Sequence, residues 1–279
     1  MRPERRSRRR LAAGTVLLGA LAAFAALGPW LLDDPDAIAL NAALAAPSSA
    51  HWLGTDGLGR DVAARLAHGG RVSLSVGLSA ATLVLAIGVP LGAWAGWKGG
   101  AVDAVISRAI EAVSCLPMLV LALALLAVTP RALRELPDAL RLALVLGVLG
   151  WPVPARFVRA EVLKLRDSSP VTAARAAGAA GSRLLVRHVL PGASGPVLVA
   201  AAFTVGGAIV AEASLSFLGL GVAPPNASWG SLLAEARIHV ERAWWLAVFP
   251  GLTLFATVLA CNLLADGIRG GLDPRGDLR

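Results

Sequence analysis

The chain has 279 residues, of which 56% are hydrophobic and only 16% charged, and it carries a formal net charge of +8. A soluble domain of this size normally has about a quarter charged residues, so the composition excludes an ordinary soluble enzyme. The arginines lie at the ends of apolar runs, a pattern that indicates membrane topology and argues against a nucleic-acid partner. The two cysteines lie inside apolar runs and predict no disulfide framework.

The first predicted element is a membrane span over residues 11–32. Six arginines precede it within the first ten residues, and the run itself is uncharged. At 1.5 Å per residue it covers about 33 Å, enough for a hydrocarbon core of about 30 Å. It is too long for the apolar region of a signal peptide, so we expect an uncleaved span with a cytoplasmic N-terminus. The small residues 42–46 leave cleavage as the alternative.

Residues 33–71 form a polar segment that we expect outside the cell, with a short surface helix over residues 61–68. Residues 51–61 read HWLGTDGLGRD. A calcium loop needs more acidic positions, so we predict no metal site. The motif resembles a signature of the C-type permease subunit of dipeptide, oligopeptide and nickel ABC importers. The resemblance marks six signature residues: Gly54, Thr55, Asp56, Gly59, Arg60 and Asp61.

Five further apolar runs predict five more spans, at residues 72–97, 109–129, 140–155, 196–222 and 243–265. A tight polar turn is expected at residues 98–103. Six spans place both termini on one side of the membrane. If that side is the cytoplasm, it holds 18 of the 26 Lys and Arg residues, as the positive-inside rule requires. The chain is therefore predicted to be all-α and multi-pass, with both termini cytoplasmic.

Two acidic residues, Glu111 and Glu212, fall inside predicted spans. A charge at the centre of a bilayer costs about 2.5–3.5 kcal/mol on insertion scales, so such residues usually face a bundle interior or a water-filled path. Lining of a translocation pathway is the functional hypothesis for both. The alternative is a buried structural partner that bonds a neighbouring helix, and Glu111 could also lie near the membrane surface.

Residues 156–195 form a basic, Ala- and Gly-rich loop between two spans. Ser169 is a candidate N-cap with Pro170 in the first helical position, and Gly178 or Gly181 can end that helix. A second helix over residues 183–190 could be capped by Ser182 and stopped by Pro191. The small residues of the first helix would let another backbone approach. A plain amphipathic connector on the lipid headgroups is the alternative.

The loop carries the pattern Ala-Ala-x-x-x-Gly at residues 173–178, followed after nine residues by His-x-Leu-Pro at 188–191. The pattern resembles the cytoplasmic "EAA" loop of ABC-importer permeases, in which a coupling helix docks into a groove on the ATPase. Thr172 stands where the family usually has Glu. The resemblance assigns ATPase coupling to seven residues: Thr172, Ala173, Ala174, Gly178, His188, Leu190 and Pro191.

The chain contains no G-x-x-x-x-G-K-[ST] phosphate loop and none of the His, Cys and acidic groupings of a membrane enzyme. We therefore expect a transport subunit that is not an enzyme, binds no cofactor and leaves ATP and Mg to a partner. The stretch SLSFLGLG at 214–221, with Pro-Pro at 224–225 and Trp-Gly at 229–230, also resembles the C-type subunits, as do NLLADG at 262–267 and LDPR at 272–275.

The resemblance implies the type I ABC importer permease fold in the cell inner membrane. Residues 1–71 would form the N-terminal tail, first span and external segment, and residues 72–279 the permease domain with coupling loop 156–195. The implied partners are a homologous B-type permease, two ATP-binding subunits and an external solute-binding protein. The implied function is binding-protein-dependent import of di- or oligopeptides through a pathway of which this chain forms half. Nickel or another small solute is the alternative, ahead of a secondary transporter or channel.

Overall fold

The computed structural model describes residues 3–128, 130 and 134–271, without the side chains of residues 3–5 and 182. Helices make up most of this part of the chain, and it contains no strands, which confirms the all-α prediction. They are α1 Pro3–Leu31, α2 Val62–Lys98, α3 Gly100–Ser114, α4 Met118–Ala127, α5 Asp138–Gly150, α6 Pro152–Arg166, α7 Ser169–Ala176, α8 Gly181–Leu184, α9 Leu190–Phe217, α10 Trp229–His239 and α11 Trp245–Gly271. Five helical stretches within the described residues are long and apolar enough to cross a membrane, or six if the bent pair of α3 and α4 counts as one span.

Helix α2 begins at Val62, ten residues before the span predicted from the sequence, so the expected surface helix over 61–68 is wrong. Those residues are the buried first turns of α2, with Ala64 fully enclosed and Arg65 only 2% exposed. The Asp61 side chain caps the helix by accepting from the Ala64 N–H at 2.9 Å. With 37 residues, α2 is about 55 Å long. The predicted division at 71/72 falls inside it.

The third predicted span is two helices, not one. Helices α3 and α4 meet at an angle of 80° across a break that contains Pro117, whose ring cannot continue a helix and whose nitrogen has no hydrogen to donate. The polar turn expected at residues 98–103 consists of the single residue Gly99, which has a φ of +66°. Thr129, the predicted end of the run, lies outside the described residues.

The prediction that Pro191 ends a helix is also wrong. A π-turn over Leu185–Val189 runs directly into α9, and the Leu190 N–H donates to the Leu185 carbonyl five residues back. This wider turn leaves room for the ring of Pro191, which would clash with the preceding turn of a regular helix. On the other side of the loop, α6 continues to Arg166. Both ends of the predicted loop 156–195 are therefore extensions of spanning helices.

Helix α1 packs on α2 and α11 through small residues. The Ser7 hydroxyl donates to the Gly267 carbonyl at 2.7 Å, and a Cβ on Gly14 would lie 2.9 Å from the Ala260 carbonyl oxygen. Near the other end, Pro29 removes the N–H that would bond the Ala25 carbonyl. Arg71 of α2 supplies the missing donor, with its Nε 2.9 Å from that oxygen.

Candidate functional site

The candidate coupling helix is α7. Ser168, one residue before the predicted cap, is its N-cap residue, and Pro170 occupies the first turn. The side chain of Ser182, the predicted second cap, lies outside the described part of the structure. The Gly178 N–H donates to the Arg175 carbonyl and the Ala179 N–H to the Ala174 carbonyl, the two bonds of a Schellman motif. Gly178 has a φ of +84°, so it ends α7 as one of the two predicted terminators.

One side chain of α7 is anchored in the interior of the protein. Val171 is 2% exposed and packs in a cluster with Ala93 of α2, Val158 and Val162 of α6 and Val189 of the π-turn. Burying a side chain of this size contributes about 1.5–3 kcal/mol. The anchor therefore joins the short helix to α2, α6 and the π-turn at once.

A second contact holds α7 against the end of α2. The guanidinium carbon of Arg175 lies 6.0 Å from the centroid of the Trp97 ring, within the range of a cation–π interaction. Sequence reasoning did not single out Trp97 or Val171, since neither belongs to the quoted motif. The apolar position at the start of a short, capped helix was the available signal for Val171.

The opposite face of α7 is uncovered and small. Thr172, Ala173, Ala176 and Ala177 are exposed, whereas Ala174 is half-buried on the inner side. Gly178 is exposed, and a Cβ built on it meets nothing within 4 Å. Such a face can be approached closely by the backbone of another chain. Of the pair predicted to share the small face, Gly178 is exposed and Ala174 is not; the exposed small face of α7 consists of Ala173, Ala176 and Ala177.

The remaining coupling candidates lie around the π-turn. His188 and Pro191 are exposed and Leu190 is half-buried. Arg183 and Arg187 are exposed beside them, and the sequence has no Asp or Glu between Asp167 and Glu212. The uncovered surface from residue 168 through the π-turn is therefore cationic or neutral.

The signature residues 51–61 form a network of ion pairs at the other end of α2. Asp56 accepts from Arg60 Nε and from Arg65 at 2.7 Å each. Arg65 also forms a two-point pair with Glu235 of α10. Two acids and two arginines thus neutralise each other where the external segment, α2 and α10 meet. Glu235 was missed from the sequence because it lies 170 residues from Arg65.

The other signature residues build the loop that presents Asp56. Gly54 and Gly59 have φ values of +79° and +76°, which favour glycine. The Thr55 hydroxyl donates to the Ala42 carbonyl, and His51 Nδ1 lies 3.0 Å from the Asp61 carboxylate. These contacts hold the loop against itself and against α2, so the geometry supports a structural role for the signature.

The two acids predicted to line a pathway occupy different environments. Glu212 of α9 is fully buried, and it accepts hydrogen bonds from Ser73 of α2 at 2.8 Å and from Ser216 at 2.7 Å. Its geometry matches the alternative of a structural partner for a neighbouring helix. Glu111 is exposed on α3 and pairs with Arg108 at 2.9 Å. Pathway lining stays a prediction for both residues.

Within the described residues, no group of three or more His, Cys, Asp or Glu side chains is arranged to hold a metal ion. The contacts found here join elements of the chain instead: α7 packs near one end of α2, and the Asp56 network lies at the other end.

Comparison with known proteins gives three findings. Residues 88–277 match the profile of the family described as binding-protein-dependent transport system inner membrane component. A candidate peptide transport system permease protein of Brucella suis biovar 1 is 39% identical over 269 residues, covering 96% of this chain and 88% of the relative. The di/tripeptide transport system permease protein DppC of Pseudomonas aeruginosa is 39% identical over 272 residues, covering 95% and 88%.

The fold resembles that of a solved transporter. An inward-facing structure of the MetNI methionine ABC transporter aligns with a TM-score of 0.63 and covers 74% of this chain and 94% of its own. The sequence identity is 17%, so this comparison supports the fold alone.

Proposed function

This chain belongs to the family of binding-protein-dependent transport system inner membrane components, and we propose that it forms half of the pathway through which an ABC importer takes up peptides. It is a multi-pass permease subunit of an ABC importer and, like its relatives, a membrane subunit rather than a catalytic one. The names of relatives at 39% identity support a peptide substrate. The sequence alone left nickel as the alternative, and among the described residues no metal-holding group favours it.

The observation that carries the proposal is the uncovered small-residue face of α7, Ala173 with Ala176 and Ala177, on a helix anchored through Val171. A face of this kind can dock in a groove of the ATPase while the opposite face transmits displacement to the permease. Thr172 offers a hydroxyl at the family's usual Glu position, so the contact there is a hydrogen bond and not an ion pair.

Transmission follows from the packing of α7. Displacement of α7 acts through Val171 on α2, α6 and the start of α9, and α2 is a single helix that reaches the opposite face. There Arg65 holds Glu235, and the Trp229 indole donates to the Leu66 carbonyl at 3.0 Å. Movement of the coupling helix is thereby carried to α10. ATP drives transport because it favours one of the two states of the permease pair by differential contact.

The assembly follows from the family in general terms: a partner permease, an ATPase and a binding protein. We propose one homologous B-type permease, two ATPase subunits that hold ATP and Mg, and a solute-binding protein on the external face. Both termini lie in the cytoplasm, since 18 of the 26 Lys and Arg residues then fall on that side. In this orientation α7 faces the ATPase and α10 the binding protein.

Uptake by the reconstituted complex tests the proposal. Vesicles that contain both permeases and both ATPase subunits, supplied with binding protein and a labelled dipeptide, are expected to accumulate the peptide only when ATP is present. ATP-dependent accumulation of nickel with none of peptide would overturn the assignment of substrate. No accumulation of any solute, with no stimulated hydrolysis, would overturn the proposed assembly.

A further inference from the structure

The cytoplasmic end of α1 carries a cluster of charges that the transport mechanism does not use. Arg6, Arg8 and Arg9 are exposed, whereas Arg10 is paired with Asp266 of α11 at 3.1 Å. Among the described residues, the first three arginines form no ion pair. The next arginine at this end, Arg269 near the end of α11, is also exposed.

Two of these arginines continue an apolar stripe along the uncovered side of α1. Arg9, Val16 and Leu27 follow each other at spacings of seven and eleven residues, close to two and three helical turns, so they lie on one face. Val16 is 71% exposed and Leu27 59% exposed. Arg6 lies one turn before Arg9 on nearly the same face. The opposite face, with Ser7 and Gly14, is the one that packs on α11.

The depth of these arginines matches the headgroup layer of a bilayer. The apolar run begins at Leu11, so Arg9 lies about 3 Å and Arg6 about 7.5 Å beyond it along the helix. The headgroup region on each side of the hydrocarbon is about 5–8 Å thick. The guanidinium groups are therefore placed beside the phosphates of the lipids whose acyl chains cover Val16 and Leu27.

We propose that Arg6, Arg9 and the stripe through Val16 and Leu27 form a binding site for an anionic phospholipid. The two guanidiniums bind the phosphate, which arginine recognises through paired N–H donors, and the stripe holds an acyl chain. A lipid fits this face because its guanidiniums lie at the depth of the phosphates and its apolar residues at the depth of the acyl chains. The site is independent of the proposed substrate and of the coupling helix.

Lipid retention by the purified complex tests the site. The complex is delipidated in mild detergent and titrated with phosphatidylglycerol or phosphatidylcholine, and bound lipid is counted by native mass spectrometry. We expect phosphatidylglycerol to be retained preferentially. The double variant Arg6→Gln, Arg9→Gln is expected to bind it about 30-fold more weakly, since each arginine near an anionic lipid surface contributes roughly a factor of five.

Two further variants separate a site from diffuse attraction. The double variant Arg8→Gln, Arg269→Gln removes the same charge away from the stripe and should weaken binding by less than about threefold. Arg6→Lys with Arg9→Lys should retain the preference for phosphatidylglycerol. Glycerol phosphate without acyl chains should not compete, because it cannot use the stripe; competition would assign the arginines to a soluble anion instead.

Two further outcomes would overturn the proposal. One is equal retention of both lipids by the unmodified complex, a result that does not depend on any variant. The other is an equal loss of phosphatidylglycerol binding in the two double Gln variants, which would show that the arginines act only as a topology signal.

Discussion

The guanidinium group of Arg175 lies over the Trp97 ring, 6.0 Å from its centroid, and links the exposed helix α7 to the last turn of α2. The buried Val171 is the second contact that packs α7 against the spanning helices. The proposed coupling role needs one face of α7 for the ATPase and the other for its own permease. The buried Val171 and the exposed Ala173 lie on opposite faces of α7 in this way.

Replacement of Trp97 is expected to uncouple transport from hydrolysis. In Trp97→Leu the cation–π contact, worth about 0.5–1 kcal/mol, is lost, and the peptide imported per ATP hydrolysed should fall about two- to fivefold. Trp94→Leu is the matched control, because Trp94 lies one turn earlier and is 51% exposed. The ratio is measured by uptake and phosphate release in the same vesicles. An equal fall in both variants would show that Arg175–Trp97 has no part in coupling.

The carboxylate of Glu212 is expected to stabilise the contact between α2 and α9. In Glu212→Ala, Ser73 and Ser216 lose their acceptor inside the protein, at a cost of about 1–3 kcal/mol for each buried group left unpaired. The unfolding temperature of the complex in detergent should fall. The unfolding temperature of Glu212→Gln should lie between those of the unmodified complex and Glu212→Ala, because the amide keeps one acceptor oxygen. Glu111→Ala, which removes an exposed pair, should leave it unchanged. If Glu212→Ala lowers uptake without changing the unfolding temperature, the pathway-lining hypothesis for Glu212 is favoured instead.

Loss of Glu235 is expected to loosen α10 from α2. Glu235→Gln leaves the buried Arg65 with Asp56 as its remaining acid, and a buried charge without its partner is costly. Because the Glu235 side chain is 38% exposed, we expect about 2 kcal/mol, below the full cost of breaking a buried pair. Faster proteolysis of residues 223–242 would report this loss of stability at the contact between α10 and α2. The exposed Glu241→Gln is the control, and identical cleavage rates in both variants would contradict the structural role of the network.

The position of five spans could be read from long apolar runs, because a helix surrounded by lipid is stable only when most of its side chains are apolar. The two helix starts that were predicted wrongly, those of α2 and α9, have a common cause: each depends on structure that the local sequence does not show. Arg65 and Arg71 made the start of α2 look like a surface helix, but their partners, Glu235 and the Ala25 carbonyl, are remote in sequence. Likewise, nothing in the amino-acid sequence around Pro191 shows that a π-turn precedes this residue.

The coupling motif predicted a small face but not which side chains compose it. Spacing placed Ala174 and Gly178 together, yet the burial of Val171 turns Ala174 inward and leaves Ala173 exposed. Helical periodicity alone does not say which face packs on the protein, since that depends on α2, α6 and the π-turn. The same packing reveals the anchors Val171 and Trp97, which lie outside the motif.

The cationic surface of the loop predicts a dependence on ionic strength. With Arg183 and Arg187 exposed and no acid nearby in the chain, the groove on the ATPase is expected to be acidic. Raising salt from about 0.05 to 0.5 M should weaken binding of the ATPase to the permease pair. Arg187→Glu should weaken binding further and abolish most of the salt dependence, whereas Arg242→Glu, on the proposed external side, should not. Affinity that rises with salt would contradict an electrostatic interface.

The docking face itself is tested best at Ala173. Gly178 is less suitable, because its φ of +84° strains any other residue and a loss of activity there has two causes. Ala173 is helical and exposed, so a larger side chain disturbs only what docks against it. Ala173→Ser keeps the face small, and Ala101→Trp places the same bulk on an exposed position of α3.

The decisive measurement is ATP hydrolysis and peptide uptake by the reconstituted complex that carries Ala173→Trp. We predict that both fall together by at least about tenfold while the permease pair still assembles, and that Ala173→Ser and Ala101→Trp stay near the unmodified complex. Unchanged hydrolysis and uptake in Ala173→Trp would contradict the account, because α7 would then be a connector that the ATPase does not grip.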